Sequence, residues 1–302
     1  MKTFAKILTG LHFMTVCFNA AWGQSGVNTF LKPSDTLNIG RRNAVIVAES
    51  IFYVGGIIQI NKPFDRDYLG SKFHFINDNS SSLQMDKAAH IYASYQIGSG
   101  FANALQCSGI SKKNQLIYGA GMGFVFLTSV EFIDGFSNER GTSYGDIIAN
   151  SLGPSLYGSQ QLLWKEQRIV PKFSFQSDNF FCVTPREMKS RIMDDLDGQT
   201  FWLSVNLHSF FKGSKIPKWL NLAIGYGVEG VDSNDRILEK STNQQLEPYR
   251  QLYLSLDVDL TKIKTNSHFL KTVFYVFNTI KIPAPTMEYS TREGLKGHYL
   301  FF

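Results

Sequence analysis

The sequence predicts an α+β protein, an N-terminal four-helix unit followed by a C-terminal antiparallel β-rich part. Three observations predict it. Between Arg42 and Gln167 the apolar residues fall in stretches of helix length. From Phe201 onward they alternate with polar residues at period two. Near Lys172, where the character changes, linker signals are few, so the two parts are expected to pack together. The expected boundaries are a signal peptide over 1–23, a linker over 24–41, a helical domain over 42–167 and a β-rich domain over 172–302.

Residues 1–23 carry the marks of a secretory signal. Lys2 and Lys6 form a basic start, Ile7 to Phe18 is mostly apolar, and Ala21-Trp22-Gly23 puts small residues at the −3 and −1 positions. The apolar stretch falls short of the ~20 residues that a membrane span needs. Lipoprotein processing would require a small residue before Cys17, where Val16 stands. Cys107 and Cys182 then remain, which an oxidising compartment permits to pair but spacing does not require.

Composition narrows the class. The chain of 302 residues is 43% hydrophobic and 18% charged, long and apolar enough for a real core. A mean hydropathy of −0.12 is too polar for a chain mostly buried in lipid. The formal charge of +5 is not gathered into a Lys/Arg stripe, which argues against nucleic acid as a partner.

Residues 24–41 are polar, with a turn-like Lys32-Pro33-Ser34-Asp35, and read as a linker or extended arm. The first helix runs from Arg42 to Ile60, with Glu49 as its one charge past the start. A charge there is costly in lipid, so a buried or membrane-surface helix is expected. Helices follow over Asp86–Cys107, Lys113–Asp134 and Ser143–Gln167. In the third, the clean apolar run Leu116 to Val130 makes about 22 Å of helix, short of the ~30 Å hydrocarbon core. Gly119 and Gly123, one turn apart, allow another backbone close approach. Lys172–Phe181 reads as extended, and beyond it Thr184-Pro185-Arg186-Glu187 starts a helix that stops at Gly198. Alternation then marks half-buried strands at Phe201–Leu207, Leu220–Val228 and Leu252–Leu260, the last with Ser255, Asp257 and Asp259 opposite its leucines. Helical spacing returns over 267–280, Pro283 and Pro285 end it, and strands near Thr286–Ser290 and His298–Phe302 close the chain. Gly225 and Gly227 mark a bend or close approach within a strand. About six strands fall short of the eight of a minimal barrel, so a small antiparallel sheet on helices is preferred over a membrane barrel.

Ionisable residues concentrate where three helices should meet. Asp86, His90 and Ser94 share one helix face at i, i+4 and i+8, with Lys87 adjacent. Glu131 and Asp134 share a face at a helix C-terminus, where carboxylates oppose the helix dipole. Arg140 lies in the loop that follows. Ser143-Tyr144-Gly145-Asp146 resembles a capping box with Asp in place of Glu, and Asn150 lies one turn on.

These ordered motifs, Asp86-Lys87-Ala88-Ala89-His90, Ser94, Glu131-Phe132-Ile133-Asp134 and Gly141 through Gly153, resemble the YfiM-type family of predicted periplasmic lipoproteins (DUF2279), over roughly Asp86 to Gln160. More distantly the order is similar to that of VanZ-like membrane proteins. The resemblance implies an envelope protein with a helical core and implies no settled reaction. The β-rich extension is similar to longer Bacteroidota members of the family.

The cluster admits three readings. Asp86, His90, Glu131 and Asp146 suit a divalent metal such as zinc, manganese or iron, whose bound water would hydrolyse an ester or amide. Alternatively, Glu131 orients His90 to activate Ser94 or a water without metal. Or the groups form a buried polar network that specifies packing, with Asp86 as an N-cap, His90 bonded to Glu131, Arg140 paired with Asp134 or Asp146, and Asn150 bracing a helix contact. The expected function is that of a periplasm-facing, membrane-associated envelope protein using the cluster structurally or for binding. In that reading Asp86, Lys87, Asp134, Arg140, Ser143 and Asn150 line the site, and the partner is a membrane or envelope component. The rival is a hydrolase or transferase on a lipid or cell-wall substrate through His90, Glu131, Asp146 and Ser94.

Overall fold

The computed structural model describes residues 24–61, 70–138, 140–176, 195–231, 239–240, 244–245 and 247–302. The signal peptide, Glu139, Cys182 and the helix expected after Thr184 lie outside the described residues, and with them the expected cleavage site and the Cys107–Cys182 pairing. Cys107 itself is buried.

Helix α1 (Gln24–Leu31) stands where a linker was expected. At eight residues it is too short to show periodicity, and docking holds it. Asn28 Oδ1 accepts from His268 N at 2.6 Å and Phe269 N at 3.2 Å, capping a later helix. Helix α2 (Ile39–Asn61) turns Val45 and Glu49 inward and leaves Ile46, Val47, Ile51, Val54 and Ile58 exposed. Helix α3 (Met85–Gln106) is buried almost all round and is the central element. Helix α4 (Lys112–Asp134) contains a π-helical stretch at Gln115–Ala120 that no sequence pattern announced. Among the described residues it is the one helix long and apolar enough to cross a membrane. Helix α5 (Tyr144–Leu163) packs on α3 and α4 and ends short of the expected Gln167, with Lys165 just beyond it at a φ of 58°.

Glycines set these contacts. A Cβ on Gly123 would lie 2.0 Å from Ser94 O, one on Gly119 2.4 Å from Ala102 Cα, and one on Gly153 2.2 Å from Ser94 Oγ. The helices therefore meet backbone to backbone, as the spacing of Gly119 and Gly123 predicts.

A short parallel ladder, β1 (Phe75–Ile76) with β2 (Thr142–Ser143), ties the loop before α3 to the start of α5. The C-terminal strands are β3 (Ile169–Phe175), β4 (Gln199–Asn206), β5 (Leu220–Glu229), a small hairpin of β6 (Glu239–Lys240) and β7 (Gln244–Gln245), then β8 (Tyr249–Val258), β9 (Ala284–Ser290) and β10 (Gly294–Phe301). Helix α6 (Leu207–Phe210) follows β4, and α7 (His268–Phe277) precedes β9. Six strands form one antiparallel sheet in the order β10-β9-β8-β5-β4-β3. Outside β3 lies Thr279–Lys281, where Phe173 N donates to Thr279 O and Lys281 N donates to Phe173 O.

The burial of this sheet decides which face of the alternating strands is enclosed. On β8, Leu252, Leu254 and Leu256 are 51%, 43% and 46% exposed, while Gln251, Ser255 and Asp257 between them are buried. Ile224, Met287 and Tyr289 are exposed on the same side, opposite buried Asn221, Thr286, Glu288 and Ser290. The inner face is concave and polar. It encloses Trp202, Tyr253 and Phe301, with Lys281 Nζ 4.6 Å from the Trp202 ring centre. Gly225 makes room for that ring, since a Cβ there would lie 2.7 Å from it. The polar side chains are satisfied by one another: Ser204 donates to Asp257 at 2.6 Å, Asn221 to Ser204 at 2.8 Å and Asn206 to Asn221 at 2.7 Å. Once paired, these groups need no water, and the sheet curls around them.

Among the described residues, only one end of the outer, apolar face is covered by protein. Phe173, Phe175, Phe201 and Val228 join Met85, Ala89, Tyr92, Phe126 and Val130 in a single core. Tyr92 Oη donates to Thr279 O and Gln96 Nε2 to Pro171 O, so α3 is stitched to the sheet.

Candidate functional site

The chain reaches α3 through an unusual turn. Ser82, Leu83 and Gln84 have φ of 47°, 50° and 65°, a left-handed run of three residues that carry side chains. Tyr226 Oη donates to Leu83 O, Gln84 Nε2 donates to Asn79 O at 2.7 Å, and Arg250 holds Gln84 Oε1 at 2.7 Å. The sheet thereby fixes where α3 begins. Its first turn has no side-chain cap, so Asp86 is not the N-cap that the network reading assigned to it. The carboxylate is left free to face His90 one turn on.

Helix α5 opens with Ser143 as N-cap, its Oγ accepting from Asp146 N at 3.1 Å. The reciprocal half of a capping box is not made. Ser143 N donates to Glu131 Oε2 of α4 at 3.4 Å, so the Asp146 carboxylate turns toward α3.

Three carboxylates therefore surround one imidazole. His90 Nε2 lies 3.6 Å from Glu131 Oε1, 3.7 Å from Asp86 Oδ1 and 4.0 Å from Asp146 Oδ2. None is a hydrogen-bond distance. The firm contact is on the other ring nitrogen, where Nδ1 and Asn150 Oδ1 are 2.8 Å apart. An amide oxygen only accepts, so Nδ1 carries a proton, and Nε2 is the ring nitrogen that faces the carboxylates. The outer carboxylate oxygens go to Lys87, whose Nζ lies 2.8 Å from Asp146 Oδ1 and 3.6 Å from Asp86 Oδ2.

Lys87 Nζ also lies 2.7 Å from Asp78 Oδ1, which accepts from Ser143 Oγ at 2.5 Å. Sequence reasoning passed over Asp78, because Asn77-Asp78-Asn79 has the composition of any turn and no spacing links it to α3.

Burial alone would lower the His90 pKa, but Asp86, Asp146 and Glu131 together raise it above the usual imidazole value. Burial lifts Glu131 to about 8 and raises Asp146. Asp86 moves the other way: burial is outweighed by His90 and Lys87, and its carboxyl is held well below the usual range.

The remaining expected residues make other contacts, although the Asp134 carboxylate is close enough to help raise the Glu131 pKa. Ser94 is buried and donates to Ile91 O of its own helix at 3.2 Å, beside Gly153. Arg140 pairs with Asp134 at 3.2 Å. An aromatic platform flanks the cluster. The Phe75 and Tyr144 rings stack with centres 4.4 Å apart, Phe73 contacts Phe75, Phe132 and Phe136, and Phe75, Phe132 and Tyr144 are exposed.

A family described as predicted periplasmic lipoproteins (DUF2279) matches residues 74–158. That span holds Asp78, Asp86, Lys87, His90, Glu131, Asp146 and Asn150, and ends before β3. The match supports export to the periplasm. No curated protein and no solved structure matches the chain.

Proposed function

We propose that this is an envelope protein of the periplasmic side that associates with the outer membrane through the apolar wall of its sheet and the outward faces of α2, α4 and α5. The observation that carries this reading is the inverted burial of β8, with leucines outward and Gln251, Ser255 and Asp257 enclosed. A sheet in water gains free energy by burying its apolar face. One that encloses its polar face and presents leucine suits a lipid surrounding, as the walls of outer-membrane proteins do. Ile224 and Met287, paired with Leu254, and Tyr289, paired with Leu252, extend the surface, and Ile148, Leu152 and Val125 are exposed on the helices. Contiguous exposed apolar area on this scale marks an interaction surface.

Membrane extraction tests the reading. The mature chain should stay with the envelope pellet through an alkaline carbonate wash and need detergent for release. Replacing Leu252, Leu254 and Leu256 together with Asn should move it to the wash, with its circular dichroism spectrum kept. A native chain that is monodisperse without detergent would overturn the proposal.

A further inference from the structure

We infer that Asp86, His90 and Asp146, closed on a fourth side by Glu131, form a binding site for one divalent first-row cation. Donor atoms of Asp86, His90 and Asp146 all lie within 4.8 Å of one another. In a tetrahedral site with bonds of about 2.0–2.1 Å, neighbouring donors stand about 3.3–3.4 Å apart. The spacings of 3.6 to 4.0 Å from His90 Nε2 exceed that by a few tenths of an ångström, and each is too long for a hydrogen bond. They are three edges that meet at Nε2, slightly longer than those of a loaded site.

Second-shell contacts point the same way. His90 is nine-tenths buried, yet Nε2 has no hydrogen-bond partner among the described residues, while Nδ1 is held by Asn150. That division of the ring is how metal-bound histidines are oriented. Each carboxylate is divided likewise. Asp86 gives Oδ2 and Asp146 gives Oδ1 to Lys87, Glu131 gives Oε2 to Ser143 N, and the other oxygen of each faces His90 Nε2. Two partners, Lys87 and Ser143, hold the outer oxygens and leave the inner ones turned toward His90.

Charge agrees with geometry. Asp78, Asp86 and Asp146 gather around one ammonium, Lys87, and Glu131 adds its carboxyl at His90. Buried charges are paired or coordinate metals, and a dication supplies what the lysine does not. One imidazole with three carboxylates favours manganese, iron or zinc over a thiolate-seeking ion. Asp86, 21% exposed at its side chain, provides the way in. The site does not depend on the lipid-facing wall, so either proposal can fail alone.

The test uses the full chain in detergent, stripped with chelator and then incubated separately with Mn²⁺, anaerobic Fe²⁺ and Zn²⁺. After removal of excess ion, elemental analysis should find one equivalent of at least one metal, and the melting temperature should rise on loading. His90→Ala and Asp146→Asn should each abolish uptake. Glu166→Gln, which pairs with Arg168 beyond the end of α5, should bind as the native chain does. If those variants fail to fold, electron spin-echo spectroscopy of the Mn²⁺-loaded native chain should show coupling to one imidazole nitrogen. Substoichiometric uptake of all three ions by the folded native chain, uptake retained by folded His90→Ala, or bound manganese without nitrogen coupling would overturn the site, leaving an adventitious ion only.

Discussion

Lys172 Nζ lies 2.7 Å from Asp257 Oδ2, although β4 and β5 stand between their strands. Three strand spacings cover about 14 Å in a flat sheet, so the two groups meet only because the sheet curls with its polar face inward. Both side chains are fully buried. Lys172 also donates to Val258 O at 2.8 Å and Asn278 Oδ1 at 3.1 Å, and Asp257 accepts from Ile282 N at 3.1 Å. The pair ties β3 and β8 to the segment that runs inside the trough.

Breaking this pair on one side should cost far more than removing it. Lys172→Met strands a buried carboxylate, and the expected loss is about 3–5 kcal/mol. The double variant Lys172→Met with Asp257→Leu should recover much of that. Denaturant unfolding in detergent measures both. A single-variant loss below about 1 kcal/mol, the range of an exposed pair, would mean that the curl does not rest on this contact.

The glycine contact of α3 and α4 gives a second prediction. Gly123→Ala drives a Cβ to 2.0 Å from Ser94 O and 3.0 Å from Gly98 N, both backbone atoms that cannot rotate away. Overpacking of this kind costs about 1–3 kcal/mol. Gly121→Ala meets nothing within 4 Å and should instead stabilise α4 by up to about 1 kcal/mol. Paired melting curves should move in opposite directions.

What the sequence made legible follows from the range of each interaction. Period and composition placed α2 to α5, α7 and the six strands of the sheet, because each signal lies within the element itself. The convergence of His90, Glu131 and Asp146 was legible from helix faces. The direction of burial was not. Alternation shows that Leu254 and Ser255 lie on opposite faces, but which face is enclosed depends on contacts such as the Lys172–Asp257 pair, made across two intervening strands. Asp78, the left-handed turn at Ser82–Gln84 and the handover of Ser143 N to Glu131 were hidden for the same reason, since their partners come from distant elements.

Glu49 gives a pH-dependent prediction. Its carboxyl is buried on α2, Oε1 has no hydrogen-bond partner among the described residues, and burial pushes its pKa to about 8. Against an ordinary value of 4.5, the folded chain holds a proton between pH 4.5 and about 8 that the unfolded chain has released. This group's contribution to stability is therefore present at low pH and falls as pH rises through that window. Glu49→Gln should flatten the dependence and raise stability at pH 8 while changing little at pH 4.5. Equal slopes of melting temperature against pH for the two chains would refute the assignment.

Asn150 separates a metal ligand's support from the ligand itself. Its Oδ1 fixes the Nδ1 proton of His90, and its Nδ2 has no partner among the described residues, so the side chain serves the imidazole alone. Asn150→Ala removes that anchor without touching a carboxylate. Loss of such an outer-shell partner lowers metal affinity by ~10–100-fold, so titration with Mn²⁺ should show one site of weakened affinity rather than none. Asn150→Asp keeps an acceptor at the same place and should restore much of the binding. Equal affinity in Asn150→Ala and the native chain would show that Nδ1 is not what aims His90, and the division of the ring between Asn150 and the carboxylates would lose its meaning.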